Sequence, residues 1–178
     1  MRLIRVATAI VTLISATAAT SAAQTITIDD NRAPRVGVTI AYTGHSPDFE
    51  AAVDSPLLGD LVRFRAGVGR GRWDSEFDSY ANPIVTRMAA SAIVFIRQPH
   101  LVKPYLGLGV ARYIPRAVDL QAQTGMRLIA GMEGSGERWT IGVEVEIDLP
   151  RYGRSDRAVV HEQLYPTGRI GFAVRRKF

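Results

Sequence analysis

Residues 138–149 alternate without a break. Trp139, Ile141, Val143, Val145, Ile147 and Leu149 fall on one parity, and Thr140, Gly142, Glu144, Glu146 and Asp148 on the other. A period of two is the mark of a β-strand, whose successive side chains point to opposite faces. The run is longer than the usual strand of a globular protein and matches the length of a tilted strand crossing a bilayer. One of its faces is wholly apolar and the other carries three carboxylates, so the sheet it belongs to must separate two different surroundings.

The pattern recurs along the chain. Val36, Val38, Ile40 and Tyr42 alternate with small residues, as do Leu106, Leu108 and Val110. Val62, Phe64, Ala66 and Val68 alternate with Arg63, Arg65, Gly67 and Gly69, and Met126, Leu128, Ala130 and Met132 with Arg127, Ile129, Gly131 and Glu133. Ile170, Phe172 and Val174 alternate with Arg169, Gly171, Ala173 and Arg175. Residues 84–96 are apolar on both parities, which leaves their orientation open. Tight turns are expected at Gln98-Pro99-His100 and Gly134-Ser135-Gly136. The connections at 73–82, 113–121 and 150–165 are longer and more polar. Short turns on one rim and long loops on the other describe a bacterial outer-membrane barrel. Seven strands are clear, whereas such barrels have an even number. The eighth is either residues 25–29 (Thr-Ile-Thr-Ile-Asp) or a segment within the long stretch 44–59; 25–29 is favoured, because 47–58 reads better as a loop with one helical turn.

The N-terminus fixes the compartment. Arg2 and Arg5 precede an apolar run, and Ser21-Ala22-Ala23 offers small residues before a cut at Gln24, the arrangement of a secretory signal peptide. The expected domains are therefore a signal peptide, 1–23, and a single barrel domain, 24–178. Removing Arg2 and Arg5 from 22 Lys+Arg leaves 20 against 17 Asp+Glu, too mild and too interspersed a charge for nucleic-acid binding. The absence of cysteine excludes thiolate metal sites, disulfides and a lipidated N-terminal Cys. With no further run of ~18 apolar residues, a membrane-spanning form must be a closed barrel.

Alternation alone permits two mirror arrangements: a soluble barrel with its apolar face inside, or a membrane barrel with that face outside. Gly37, Gly67, Gly69, Gly107, Gly109, Gly131, Gly142 and Gly171 all share the charged face. A narrow barrel interior needs space beside long Arg and Glu side chains, whereas on a water-facing surface glycine would only weaken the strand. The same face carries Arg35, Arg63, Arg65, Lys103, Arg127, Arg169 and Arg175 against Glu133, Glu144, Glu146 and Asp148. Buried charges persist when paired, and Arg127 is placed to meet Glu144 and Glu146 across a hairpin. The membrane arrangement follows: an all-β, antiparallel, up-and-down transmembrane β-barrel of about eight strands.

The last strand ends on Phe178, with Val174, Phe172 and Ile170 at alternate positions before it, and Lys103-Pro104-Tyr105-Leu106-Gly107-Leu108-Gly109-Val110 opens another strand. In these features the chain resembles the small outer-membrane β-barrel proteins, the OmpA-type transmembrane barrel and its relatives. The resemblance implies a membrane insertion signal formed by Phe178, Phe172 and Ile170, with outer-membrane lipid and the barrel-assembly machinery as partners. Arg176 departs from the pattern, since an apolar or aromatic residue is usual there.

Chemistry-bearing residues are sparse. His45-Ser46 invites comparison with lipid-modifying barrel enzymes, but adjacent strand residues point to opposite faces, which disfavours a direct pair. His100 and His161 are isolated, and three separated histidines do not make a metal site. Glu144, Glu146 and Asp148 form a line of carboxylates neutralised by the surplus of inward arginine, an interior charge network with Arg63, Arg65, Arg127, Arg169 and Arg175. Outward Arg112 and Arg176 are expected to reach lipid headgroups. No catalytic set, cofactor or metal is expected. The leading function is a non-enzymatic outer-membrane barrel whose lumen is filled by side chains, with a structural or surface-interaction role. The alternatives are a lipid-modifying enzyme using His45 or His161, and a soluble secreted barrel with an apolar ligand.

Overall fold

Eight strands follow one another in chain order: β1 (Arg35–Tyr42), β2 (Pro47–Asp54), β3 (Val62–Arg72), β4 (Ile84–Phe95), β5 (Val102–Pro115), β6 (Gln123–Ser135), β7 (Trp139–Pro150) and β8 (Thr167–Lys177). Each pairs antiparallel with the next, and β8 returns to pair with β1, so the sheet closes into an up-and-down barrel with no free edge. The computed structural model describes residues 33–43, 46–59, 61–73, 83–96, 102–116, 121–150 and 167–178. The expected signal peptide, the run 25–29 and all three histidines lie outside the described residues.

The eighth strand is β2, not 25–29. Phe49, Ala51 and Val53 point outward and Asp48, Glu50, Ala52 and Asp54 inward, the same alternation as elsewhere in a segment first read as a loop. Pro47 begins the strand, a position where its missing N–H is tolerated. Where the chain passes from β1 to β2, the Thr43 N–H and hydroxyl both donate to the Ser46 carbonyl at 3.2 Å. β5 also runs further than its sequence pattern showed, carrying Tyr113 into the wall instead of a loop.

The connections sort onto two rims. The β2–β3, β4–β5 and β6–β7 connections lie at the rim where β1 begins and β8 ends, called here the turn rim, and the turn expected at Gln98-Pro99-His100 lies outside the described residues. In the β2–β3 connection, Gly59 takes a left-handed φ of 56° that L side chains disfavour, and the Leu61 and Val62 N–H groups donate to the Leu58 carbonyl. Residues 73–83, 116–122 and 151–166 connect strands at the opposite loop rim. By length, the connections follow the expected asymmetry, apart from the short β1–β2 link on the loop side.

The apolar parity faces out. Val38, Ile40, Phe64, Leu106, Leu108, Val110, Ile141, Ile170 and Phe172 are all exposed, Phe172 by 64%. A belt of this kind around every strand is far larger than the scattered apolar patches of a soluble surface and marks a membrane-facing wall. On β4, apolar on both parities, Met88 and Val94 face out while Val85, Ala89 and Ile93 face in with Arg87 and Ser91.

Candidate functional site: an ionic core in the lumen

Inward-pointing side chains of an eight-stranded barrel meet across a lumen just wide enough for them to fill. Here they are mostly charged. Among the described residues, seven arginines are buried (Arg35, Arg63, Arg65, Arg87, Arg127, Arg169 and Arg175), together with seven carboxylates (Asp48, Glu50, Asp54, Glu133, Glu144, Glu146 and Asp148). The counts match. In a medium where an unpaired charge is strongly destabilising, a balanced set is what can persist.

The network divides into two knots that share no residue. Toward the loop rim, Glu50 is the hub. It accepts from Arg87 Nη2 at 2.6 Å, Arg127 Nη2 at 2.8 Å and Arg169 Nη2 at 2.8 Å. Arg127 also holds Glu146 at 2.5 Å, and Arg169 donates to Glu146 and, at 2.9 Å, to Asp48. Arg87 bridges Asp48 and Asp148, each at 3.3 Å. Toward the turn rim, Arg65 holds Asp54 and Glu144, each at 2.8 Å, and Arg175 donates to Glu144 and lies 3.4 Å from Asp54. Nearest the turn rim, Arg35 pairs with Glu133 at 2.6 Å. Arg63 donates to the carbonyls of Ser55 at 2.7 Å and Ala33 at 3.0 Å.

The remaining lumen is apolar and lies against β4 and β5. Trp73, Val85, Ala89, Ala111 and Tyr113 cluster toward the loop rim, and Ile93, Phe95, Tyr105 and Ile129 toward the turn rim. Tyr113 and Tyr105 join the two kinds of packing. Their rings lie 4.9 Å from Trp73 and 5.3 Å from Phe95, while their hydroxyls donate to Asp148 at 3.0 Å and to Glu144. An aromatic body in apolar contact with its polar tip satisfied is the favourable way to bury tyrosine.

The glycines supply the space. A Cβ on Gly69 would sit 2.6 Å from Arg87 Nη2, and one on Gly131 would sit 2.6 Å from Tyr105 Oη. Both glycines are therefore places where a charged or phenolic side chain crosses directly over the opposing backbone.

All eight residues expected in the interior network (Arg63, Arg65, Arg127, Glu144, Glu146, Asp148, Arg169 and Arg175) point inward and are buried. Arg127 meets Glu146 as its position implied, but not Glu144, which is held instead by Arg65, Arg175 and Tyr105. Lys103 is only half-buried. Four charged members were missed: Arg87, hidden in a segment apolar on both parities, and Asp48, Glu50 and Asp54 of β2. The signal for β2 was present as an excess of inward cations over anions in the other seven strands. On the outside, Ile170, Phe172 and Phe178 are exposed along one line of β8. Arg176 lies between aromatic rings, its guanidinium carbon 6.0 Å from the Trp139 centroid and 5.5 Å from that of Phe178. That stacking accommodates a cation where an aromatic was expected.

No protein-family model and no curated protein matches the chain in sequence. The likeness is one of fold. The N-terminal β-barrel domain of Pseudomonas aeruginosa OprF superposes with a TM-score of 0.58 at 14% identity, over 83% of this chain and 98% of that one. Neisserial surface protein A gives 0.53 at 16% identity, over 82% and 94%. A de novo designed transmembrane β-barrel gives 0.51 at 13% identity, over 83% and 96%. With its eight strands closed up-and-down around a filled lumen, the chain has the fold of the small eight-stranded outer-membrane β-barrels.

Proposed function

We propose that this protein is exported through a cleaved signal peptide, is inserted by the barrel-assembly machinery and resides in the outer membrane. There it serves as a non-enzymatic scaffold with a sealed lumen whose loop rim meets the cell's surroundings. The observation that carries this reading is the ionic core, balanced among the described residues at seven arginines against seven carboxylates, beneath an outward apolar belt. Two knots of paired side chains span the lumen and leave the structural and surface-contact roles to the outer wall and the loops. His45 and His161, the residues a lipid-modifying reading would need, lie outside the described residues.

Fractionation of expressing cells tests the proposal, combined with a gel run on boiled and unboiled samples. An outer-membrane protein that migrates faster unboiled is expected, with membrane lipids whose mass spectra match those of cells lacking the protein. A soluble periplasmic chain would overturn the membrane role, and a new lipid species lost on His45→Ala or His161→Ala would overturn the non-enzymatic one.

A further inference from the structure

The outward wall of β3, β4 and β5 differs from the rest of the barrel in two respects. Near the loop rim it carries four exposed arginines: Arg70 and Arg72 on β3, Arg112 on β5, and Arg116 just beyond β5. The register sets them around one patch. Arg70 faces Thr86 and Arg72 faces Ile84 across the β3–β4 pair, Arg112 faces Met88 across the β4–β5 pair, and the Arg116 N–H donates to the Ile84 carbonyl at 2.7 Å. Among the described residues, none of the four is paired with a carboxylate, and Arg112 Nη1 lies 3.4 Å from Thr124 Oγ1.

The second respect is shape. Ala66 and Ala90 are cross-strand partners, and Ala51 on β2 lies in the next outward row, paired with Val68. Their side chains stop at Cβ among larger neighbours, and the wall is recessed there. An open groove of about 660 Å³ runs from Arg112 and Met88 onto these alanines. A second depression of about 540 Å³ shares Ala66 and Ala90 and continues past Phe64. The pair of hollows forms an apolar track descending the membrane-facing wall from a cationic head.

We propose that this wall is a binding site for a phosphorylated, multiply acylated glycolipid of the outer leaflet, one acyl chain lying in the alanine track and the phosphates on the arginines. The arginines form two poles, on β3 and on β5. Two strand spacings separate these poles by roughly 10 Å, a separation suited to two phosphates carried on a disaccharide and wider than a single phosphodiester needs. Charge complementarity supplies the attraction, and the arginine stems lie along the apolar wall while their heads reach the headgroup layer. The inference rests on the membrane reading above, with the loop rim toward the outer leaflet.

The test uses the full chain extracted in mild detergent, analysed by native mass spectrometry, and then reconstituted in phosphatidylcholine vesicles with bisphosphorylated lipid A, monophosphorylated lipid A or phosphatidylglycerol as probes. Wild type is expected to retain one bisphosphorylated lipid A. Retention falls about tenfold when Arg70→Gln and Arg112→Gln are combined, and comparably when Ala66→Phe and Ala90→Phe fill the track. The unboiled gel mobility of all forms stays that of a folded barrel. Monophosphorylated lipid A is held more weakly than the bisphosphorylated form. Equal retention by wild type and variants overturns the site, as does equal retention of phosphatidylglycerol. A lipid-free dimer of wild type that the alanine substitutions dissolve also overturns it and assigns the groove to a second copy. A chain that folds in vesicles yet holds no lipid removes this inference alone. A chain that never migrates as a barrel removes the membrane reading with it.

Discussion

Arg127 on β6 reaches across the lumen to Glu50 on β2, 77 positions away in sequence, and donates to it at 2.8 Å. In a closed ring of eight strands these two lie diametrically opposite. Arg65 on β3 and Glu144 on β7 repeat the relationship in the second knot at 2.8 Å. The barrel is thus braced by two ionic struts at different depths, one in each half of the lumen.

Removing the hub should cost more than removing a peripheral carboxylate. Glu50→Ala leaves Arg87, Arg127 and Arg169 short of an anion inside the lumen. Breaking a buried ion pair in this way costs about 3–5 kcal/mol. Glu133→Ala removes one partner of Arg35, nearer the turn rim, and is expected to cost less. Urea unfolding in detergent micelles, followed by tryptophan fluorescence, checks the order of the two. The double change Glu50→Ala with Arg127→Ala should recover part of the loss.

The same strut is expected to close the lumen to ions. Planar-bilayer recordings of wild type should show little or no conductance. Glu50→Ala combined with Arg127→Ala shortens both arms of the strut and should raise it. Unchanged currents in the double variant would show that the other charged pairs seal the barrel on their own.

Glycine positions should divide by what a new methyl group meets. Gly69→Ala drives Cβ against the Arg87 guanidinium and Gly131→Ala against the Tyr105 hydroxyl, each at 2.6 Å. Overpacking of this kind costs about 1–3 kcal/mol. Gly168→Ala meets nothing within 4 Å and should stay within about 0.5 kcal/mol of wild type. Denaturant midpoints of the three variants decide.

On the outer wall, Leu108→Arg places a charge in the middle of the exposed belt. The expected loss is about 2–4 kcal/mol at the bilayer midplane. The same substitution at Trp139, beside Arg176 near the turn rim, should cost less because the side chain reaches the headgroup layer. Refolding yields into vesicles compare the two.

Insertion should depend on the end of β8. Phe178→Ala is expected to slow the appearance of the fast-migrating form in the presence of the assembly machinery. Arg176→Phe should leave it unchanged or faster, because the substituted position already lies between Trp139 and Phe178.

The fold was legible wherever one parity was apolar and the other carried charge or glycine, as in β3, β6, β7 and β8. It failed at β2, where Pro47 and the density of Asp and Glu resembled a loop, although Phe49, Ala51 and Val53 kept the outward parity. It was ambiguous at β4, because that strand faces lipid on one side and the apolar half of the lumen on the other, so both parities are hydrophobic. The site was half legible. Among the described residues its basic members, Arg87 on β4 apart, lie on strands with clear alternation, whereas three of its seven acids sit on the strand that was missed. Which arginine takes which carboxylate depends on strand tilt and on closure, and neither is written in local pattern. Glu144 illustrates this: its neighbours in sequence point to Arg127, yet it is held from β3, β5 and β8.

The placement of Glu50 has a consequence for the order of events in folding. Its three partners belong to β4, β6 and β8, and the last of these pairs with β1 to close the ring. Until β8 docks on β1, the carboxylates of β2 lack part of the positive charge that lets them leave water. An unclosed sheet would therefore keep a hydrated inner face, and that water would leave only on closure. Assembly of the wall and drying of the lumen become a single cooperative step.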